Sequence, residues 1–312
     1  MIHPKITIVG AGNVGASCAL WAAAADLGDI VLVDIVDGLA AGKALDLQQT
    51  APIMGFAHAV TGTTDYEATA GSDLAIVTAG LARKPGMSRD DLLAKNAEIV
   101  SGIVRELVAA SPGAVLVIVS NPVDAMTSLA HRVSDLPTGR VVGMAGVLDS
   151  ARMRTFIAQA AGVSPKDVQA YVLGGHGDTM VPLVRHSSIG GVPLAARLAE
   201  EQIGTIVQRT RNGGAEIVGL LKTGSAFYAP AAAAVTMARS ILKDERRVLP
   251  CAAYCDAEYG VGGCFVGVPA RLGTGGVMEV LEFDLNADER AAFDSSVAHV
   301  RRLVEKLAEL GY

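Results

Sequence analysis

Apolar residues in the first half of the chain fall in short unbroken runs, separated by longer stretches of mixed polarity. The runs are KITIVG (5–10), IVLVD (30–34), HAVTGT (58–63), DLAIVTAG (73–80), AVLVIVSN (114–121) and GRVVGM (139–144). A strand with one wet face alternates in polarity, whereas a strand covered on both faces does not. These runs therefore predict interior strands of a parallel sheet. Amphipathic stretches near 13–26, 38–49, 91–110 and 122–134 are long enough to be the helical crossovers that parallel strands need. The expected architecture is α/β, a doubly wound parallel sheet of about six strands.

The pattern then changes. Helix-length segments near 149–162, 197–222, 227–243 and 287–310 surround strand-like runs at 168–174, 246–255, 261–271 and 277–283. The last two runs are joined by LGTGG, a hairpin signal. Antiparallel strands with helices on one side describe an α+β unit. GMAG (143–146) separates the last parallel strand from the next helix, so the expected division is 1–145 and 146–312.

Composition narrows the classes. Half of the 312 residues are hydrophobic, enough for a sizeable core. A formal net charge of -6 argues against a nucleic-acid surface. The apolar tract LWAAAADLGDIVLVDIV is interrupted by Asp26 and Asp29, so no membrane span is expected. The opening MIHPKITIVG enters a strand without a charged leader, which points to the cytoplasm. Cys18, Cys251, Cys255 and Cys264 lack the paired spacing of a structural zinc site. No metal is expected, and all four read as core thiols, even though Cys255 and Cys264 could face each other across a hairpin.

Candidate chemistry begins at GAGNVG, where Gly10, Ala11, Gly12, Asn13, Val14 and Gly15 form G-x-G-x-x-G between a strand and a helix. Gly10 permits the tight turn, Gly12 lets a diphosphate approach the backbone, and Gly15 lets helix and strand touch. The helix N-terminus offers free N–H groups to the phosphates. Asp34 ends the second strand, where a carboxylate can accept from the adenosine ribose hydroxyls and would repel a 2′-phosphate. A Rossmann NAD site is the expectation, with NAD preferred over NADP.

Further along, YVLGGHGDTMVPL places His176 among Gly174, Gly175 and Gly177, which would clear bulk for a substrate. An imidazole suits proton transfer from a hydroxyl near neutral pH. His3, His58, His131, His186 and His299 read as structural or surface groups. GVLDSARMRTF brings Asp149 and Arg152 to one helix face at i and i+3. A carboxylate orients an imidazole, and a guanidinium grips a substrate carboxylate through two parallel bonds.

With these motifs in hand, the chain resembles the lactate/malate dehydrogenase family, and within it the lactate-dehydrogenase-like malate dehydrogenases of bacteria. GAGNVG, ARKPGMSR, SNPVD, GVLDSAR, GGHGD and GSAFYAPA occur in family order. The resemblance implies a reversible NAD-linked oxidation of (S)-malate to oxaloacetate. It gives His176 the proton, Asp149 the orienting of His176, and Arg152 the substrate C1 carboxylate. Arg89 would polarise the reacting carbonyl, and Asn121 would hydrogen-bond substrate. Main chain at Val119, Ser120 and Asn121 would lie close to the nicotinamide, Asn96 would contact NAD, and Ser225 would lie near the pocket. It also implies a homo-oligomer, a dimer or tetramer. The alanine-rich helices near 13–26 and 227–243 are candidate contacts that core burial explains equally well.

The loop GLARKPGMSRDD carries Arg83, Lys84 and Arg89 in an acidic chain. One arginine serves the reacting carbonyl; a second, Arg83, suits a dicarboxylate, and arginine at that position resembles the malate-specific version of the family. Lys84 and Arg105 read as solvated charges. Fields are screened beyond about 8 Å at physiological salt, so these cations would act locally once the loop closed. A lactate or other 2-hydroxyacid dehydrogenase is the nearest alternative. A non-catalytic NAD-binding sensor is the alternative from another class, and it would need the glycines but not the proton relay.

Overall fold

A computed structural model of the chain describes residues 3–81 and 89–312, the side chain of Arg89 excepted. Six strands form the parallel part: β1 (Lys5–Val9), β2 (Asp29–Val33), β3 (Val60–Thr63), β4 (Leu74–Val77), β5 (Val115–Ile118) and β6 (Val141–Gly143). Their order in space is β3-β2-β1-β4-β5-β6. Alternate residues feed different cores. Ile6, Ile8, Leu74 and Ile76 pack on one face, and Val9, Ala75, Val77 and Leu116 on the other. That two-sided burial is why the runs are continuous rather than alternating. Helices α1 (Asn13–Ala24), α2 (Leu39–Gln49), α3 (Ala51–Met54), α4 (Arg89–Ala110) and α5 (Val123–Ser134) supply the cover. Strand order reverses direction between β1 and β4, the switch point outside whose carboxyl ends open α/β sheets bind ligands.

The second half adds α6 (Gly146–Ala161), then four short pairs of residues, β7 (Val168–Gln169), β8 (Val172–Leu173), β9 (Val181–Pro182) and β10 (Ser188–Ile189), and a fifth, β11 (Val192–Pro193). Helices α7 (Glu200–Leu221) and α8 (Tyr228–Leu242), strands β12 (Arg247–Cys255), β13 (Cys264–Gly273) and β14 (Gly276–Val280), and helix α9 (Ala287–Glu309) complete it. The expected strand at 168–174 is two strands in separate small sheets, β11-β10-β7 and β8-β9. Val168, Ala170 and Val172 bury in one core while Leu173 buries in another, so the segment crosses between them.

A second difference concerns the sheet as a whole. The antiparallel strands are not a separate sheet: Ala252 of β12 pairs with Gly143 of β6, giving one nine-stranded sheet ending β14-β13-β12-β6. A Cβ on Gly143 would stand 2.4 Å from Thr127 Oγ1 and 2.9 Å from Ala252 Cβ, so the seam needs glycine. The alanine-rich helices α1 and α8 pack on each other, with the Cys18 thiol against the Ala231 carbonyl. All four cysteines are buried free thiols. Cys255 and Cys264 are register partners, and burial pushes their pKa values up to about 12 and about 11. Among the described residues no helix is long and apolar enough to cross a membrane, and no three potential ligands cluster for a metal.

Candidate active site

The first corner of the site is made of backbone. Only residues 10–12 separate β1 from α1. Gly10 has φ +100°, and a Cβ there would lie 2.8 Å from Thr78 Oγ1. Gly15 is tighter still, since its Cβ would fall 1.7 Å from the Gly10 carbonyl oxygen. At Gly12 a Cβ would meet nothing within 4 Å. Two glycines are thus required by the fold itself, while the middle one leaves an open approach to the helix end. Helix α1 has no side-chain cap and no acidic residue in its first turn, so its N–H groups are free for an anion. Exposed Asn13 and half-buried Val14 begin that helix. These residues fit the diphosphate of a dinucleotide.

Charge fixes the same turn from both sides. Asp34 accepts the Ala11 N–H at 2.6 Å through Oδ2 and the Val36 N–H at 3.0 Å through Oδ1. Lys43 of α2 donates to the Ala11 carbonyl at 2.7 Å. Each carboxylate oxygen of Asp34 keeps a lone pair for a ribose hydroxyl.

The second corner is made of ionisable side chains. Asp149, in the first turn of α6, is buried and accepts from His176 Nδ1 at 2.7 Å. Its other oxygen is 3.3 Å from Arg152 Nη1. The His176 N–H donates to Asp124 Oδ2 at 2.9 Å. Asp124 lies in the first turn of α5, just past the carboxyl end of β5, so this bond anchors His176 at the ligand edge of the sheet. Burial works against the imidazolium, but the charge and hydrogen bond of Asp149 and the charge of Asp124 outweigh it and raise the His176 pKa. Burial pushes the Asp124 carboxyl up to about 6, against the pull of the His176 N–H. Asp124 Oδ1 has no hydrogen-bond partner among the described residues.

The glycines beside His176 answer to packing more than to access. A Cβ on Gly174 would be 2.6 Å from Ser296 Oγ, and one on Gly175 would be 2.9 Å from Val300 Cγ2. Both glycines let the loop lie against α9, where Ser296 Oγ accepts the Gly175 N–H at 2.8 Å. Only Gly177, with φ +132°, has open space around it.

The strand ends that join the corners are tied by Asn96. The sequence points to a cofactor contact for this residue, yet its amide is committed to backbone. It accepts the Leu81 N–H at 2.7 Å and donates to the carbonyls of Leu81 at 3.2 Å and Asn121 at 2.7 Å. Val119 and Ser120 donate their N–H groups to Val77 at 2.9 and 3.3 Å, and Ser120 Oγ donates to Ala79 at 2.5 Å. Asn121 is exposed and precedes a cis peptide bond to Pro122. Ser225 is exposed between α7 and α8 and makes none of the bonds that link His176, Asp149 and Arg152. Arg83, Lys84 and the side chain of Arg89 lie outside the described residues. Sequence reasoning assigned nothing to Asp124 or Lys43. Asp124 stands in the quoted SNPVD motif as an acid at a helix start, a detectable signal, whereas Lys43 carries none.

Residues 4–143 match the NAD binding domain of lactate/malate dehydrogenase, and residues 146–310 match its alpha/beta C-terminal domain. A malate dehydrogenase of Rhodopirellula baltica is 57% identical over 309 residues, covering 98% of each chain. The solved malate dehydrogenase of Salinibacter ruber superposes with a TM-score of 0.94 at 52% identity, covering 98% of each chain. A lactate dehydrogenase of Cryptosporidium parvum, solved with lactic acid and β-nicotinamide adenine dinucleotide, has a TM-score of 0.96 at 42% identity and covers 99% of each chain. The chain belongs to the lactate/malate dehydrogenase family.

Proposed function

We infer that the chain is an NAD-dependent malate dehydrogenase that interconverts (S)-malate and oxaloacetate. The observation that carries the reading is the His176–Asp149–Arg152 group at the carboxyl edge of a sheet whose first turn fits a dinucleotide. An ionised carboxylate only accepts, so Asp149 keeps the hydrogen of His176 on Nδ1 and leaves Nε2 a free lone pair. Nε2 takes the hydroxyl proton during oxidation and returns it to the carbonyl oxygen during reduction. The bound nicotinamide supplies the hydride acceptor or donor. Arg152 grips the C1 carboxylate through two parallel bonds.

The remaining assignments rest on the sequence motifs. Arg89 meets the negative charge that grows on the carbonyl oxygen. Arg83 takes the second carboxylate, and Asn121 hydrogen-bonds substrate. Backbone at Val119, Ser120 and Asn121 flanks the nicotinamide, and Ser225 borders the pocket. Asp34 accepts from the ribose hydroxyls, and Asn96, held beside Leu81 and Asn121, contacts NAD. A cytoplasmic homo-oligomer, dimer or tetramer, completes the reading. Exposed Trp21, Ile53 and Met54 are the apolar material a subunit contact would cover.

The likeness to a lactate dehydrogenase makes pyruvate the competing substrate. The test follows NADH consumption with oxaloacetate and with pyruvate, comparing kcat/KM. Oxaloacetate should win, and Arg83→Gln should erode that preference roughly 10²-fold, the worth of one charge-assisted pair. Fast pyruvate turnover with negligible use of oxaloacetate would make the enzyme a lactate dehydrogenase. NADH binding without turnover of any 2-oxoacid would leave a sensor.

A further inference from the structure

Helix α7 contains four glycines, Gly204, Gly213, Gly214 and Gly219. Glycine is the poorest non-proline residue in a helix interior, so a buried one near the middle of a 22-residue helix needs a reason. Three of the four have room for a side chain. A Cβ on Gly204 or Gly219 would meet nothing within 4 Å, and one on Gly214 would come no closer than 3.7 Å to Arg152. Gly213 is different: its Cβ would stand 2.9 Å from Arg152 Cδ and 3.3 Å from Arg152 Nε.

Arg152 has little freedom to give way. Its side chain is 13% exposed, and Nη1 is held 3.3 Å from Asp149 Oδ1. Its Nε is buried with no hydrogen-bond partner among the described residues. The helix is also fixed. The Arg209 guanidinium of α7 lies 4.2 Å over the Phe156 ring of α6, and Arg211 Nε reaches the Met180 carbonyl at 3.4 Å. A side chain added at position 213 would therefore displace the arginine stem.

We propose that Gly213 is a positioning residue for substrate: its bare backbone is the notch in which the Arg152 stem lies, and it sets where the guanidinium meets the substrate carboxylate. The inference rests on Arg152 being the arginine that holds that carboxylate. A planar fork making two parallel bonds loses alignment when its stem shifts by a few tenths of an ångström. The loss falls on ground state and transition state alike, because the carboxylate does not react, so it appears in KM rather than in kcat.

The experiment measures oxaloacetate kinetics and thermal stability for Gly213→Ala, Gly219→Ala, Arg152→Gln and the double variant Gly213→Ala/Arg152→Gln. Gly213→Ala should raise KM about tenfold with kcat within about twofold. Gly219→Ala, which meets open space, should leave KM alone and raise Tm by ~1–3 °C through helix propensity. In the Arg152→Gln background, Gly213→Ala should add nothing further to KM. An unchanged KM in Gly213→Ala, beside a raised KM in Arg152→Gln, overturns the glycine's role and leaves the arginine's intact. An equal KM increase from Gly213→Ala with and without Arg152 makes the effect structural and also overturns it. An unchanged KM in Arg152→Gln removes the arginine assignment itself.

Discussion

The dinucleotide corner and the proton-transfer corner both require fixed polar geometry, and they reach it by opposite means. Around GAGNVG the backbone does the work, and three charge-assisted or polar contacts to Ala11 and Val36 hold a turn whose shape the glycines already dictate. Around His176 side chains set the geometry, with one main-chain bond, from the His176 backbone N–H to Asp124 Oδ2. Residues from α5, α6 and the loop after β8 meet with little exposure: buried Asp149 bonds the His176 imidazole, and buried Asp124 bonds the His176 main-chain N–H. The first corner can lose a side chain and keep its form. In the second, His176, Asp149 and Arg152 balance one another beside a buried Asp124, so a single substitution unbalances the rest.

The sharpest division between the corners comes from His176→Asn. Loss of the proton acceptor should lower kcat/KM by roughly 10²–10⁴-fold, while NADH affinity, measured by fluorescence titration, stays as in wild type. Parallel loss of NADH binding would break the separation and make the two corners one cooperative unit.

Asp124 carries the next largest effect, on stability. Its carboxyl is pushed up to about 6 by burial, against about 3.9 in an unfolded chain. Between those values the folded protein holds a proton that the unfolded chain has released. Stability therefore falls as pH rises through that window, by up to about 2–3 kcal/mol in all. Asp124→Asn keeps an oxygen for the His176 N–H and removes the charge. Urea unfolding at pH 5 and pH 7 should show the variant gaining on wild type as pH rises. Parallel pH dependence in both proteins would assign the slope to other groups.

The contrast also explains what was legible beforehand. Parallel strands, the glycine turn and Asp34 are local: each is announced by residues adjacent in sequence, and each formed where the pattern placed it. Asp149 and Arg152 share a helical turn, so their pairing was legible as well. The joining of β12 to β6, the split at 168–174 and the bond from His176 to Asp124 depend on residues far apart in sequence meeting in space. No periodicity encodes such meetings. Gly174 and Gly175 teach a related lesson, since what looked like clearance for a substrate is clearance for α9. Asn96 was legible as part of the site, but a buried amide committed to Leu81 and Asn121 has a scaffolding task that sequence alone does not reveal.

In the dinucleotide corner the effects should be smaller, because the glycines keep the turn. Asp34→Asn retains an acceptor for Ala11 or Val36 but loses the charge. NADH affinity should fall about tenfold, one charge-assisted hydrogen bond, and the penalty against NADPH should narrow because the repulsion of its 2′-phosphate is gone. An unchanged ratio of NADH to NADPH affinity would mean that selectivity lies elsewhere in the pocket.

The smallest effect should come from Lys43. Its ammonium holds the Ala11 carbonyl at 2.7 Å, opposite the carboxylate that holds the Ala11 N–H. Lys43→Met keeps much of the stem and removes that bond, yet Gly10 and Gly15 still confine the turn on steric grounds. NADH affinity should drop only about two- to fivefold, with kcat at saturating NADH unchanged, the net worth of one partly exposed hydrogen bond. A drop as large as that in Asp34→Asn would show that the charged grip on Ala11, and not the glycine geometry, shapes the turn, and the comparison between the two corners would have to be redrawn with side-chain balance governing both.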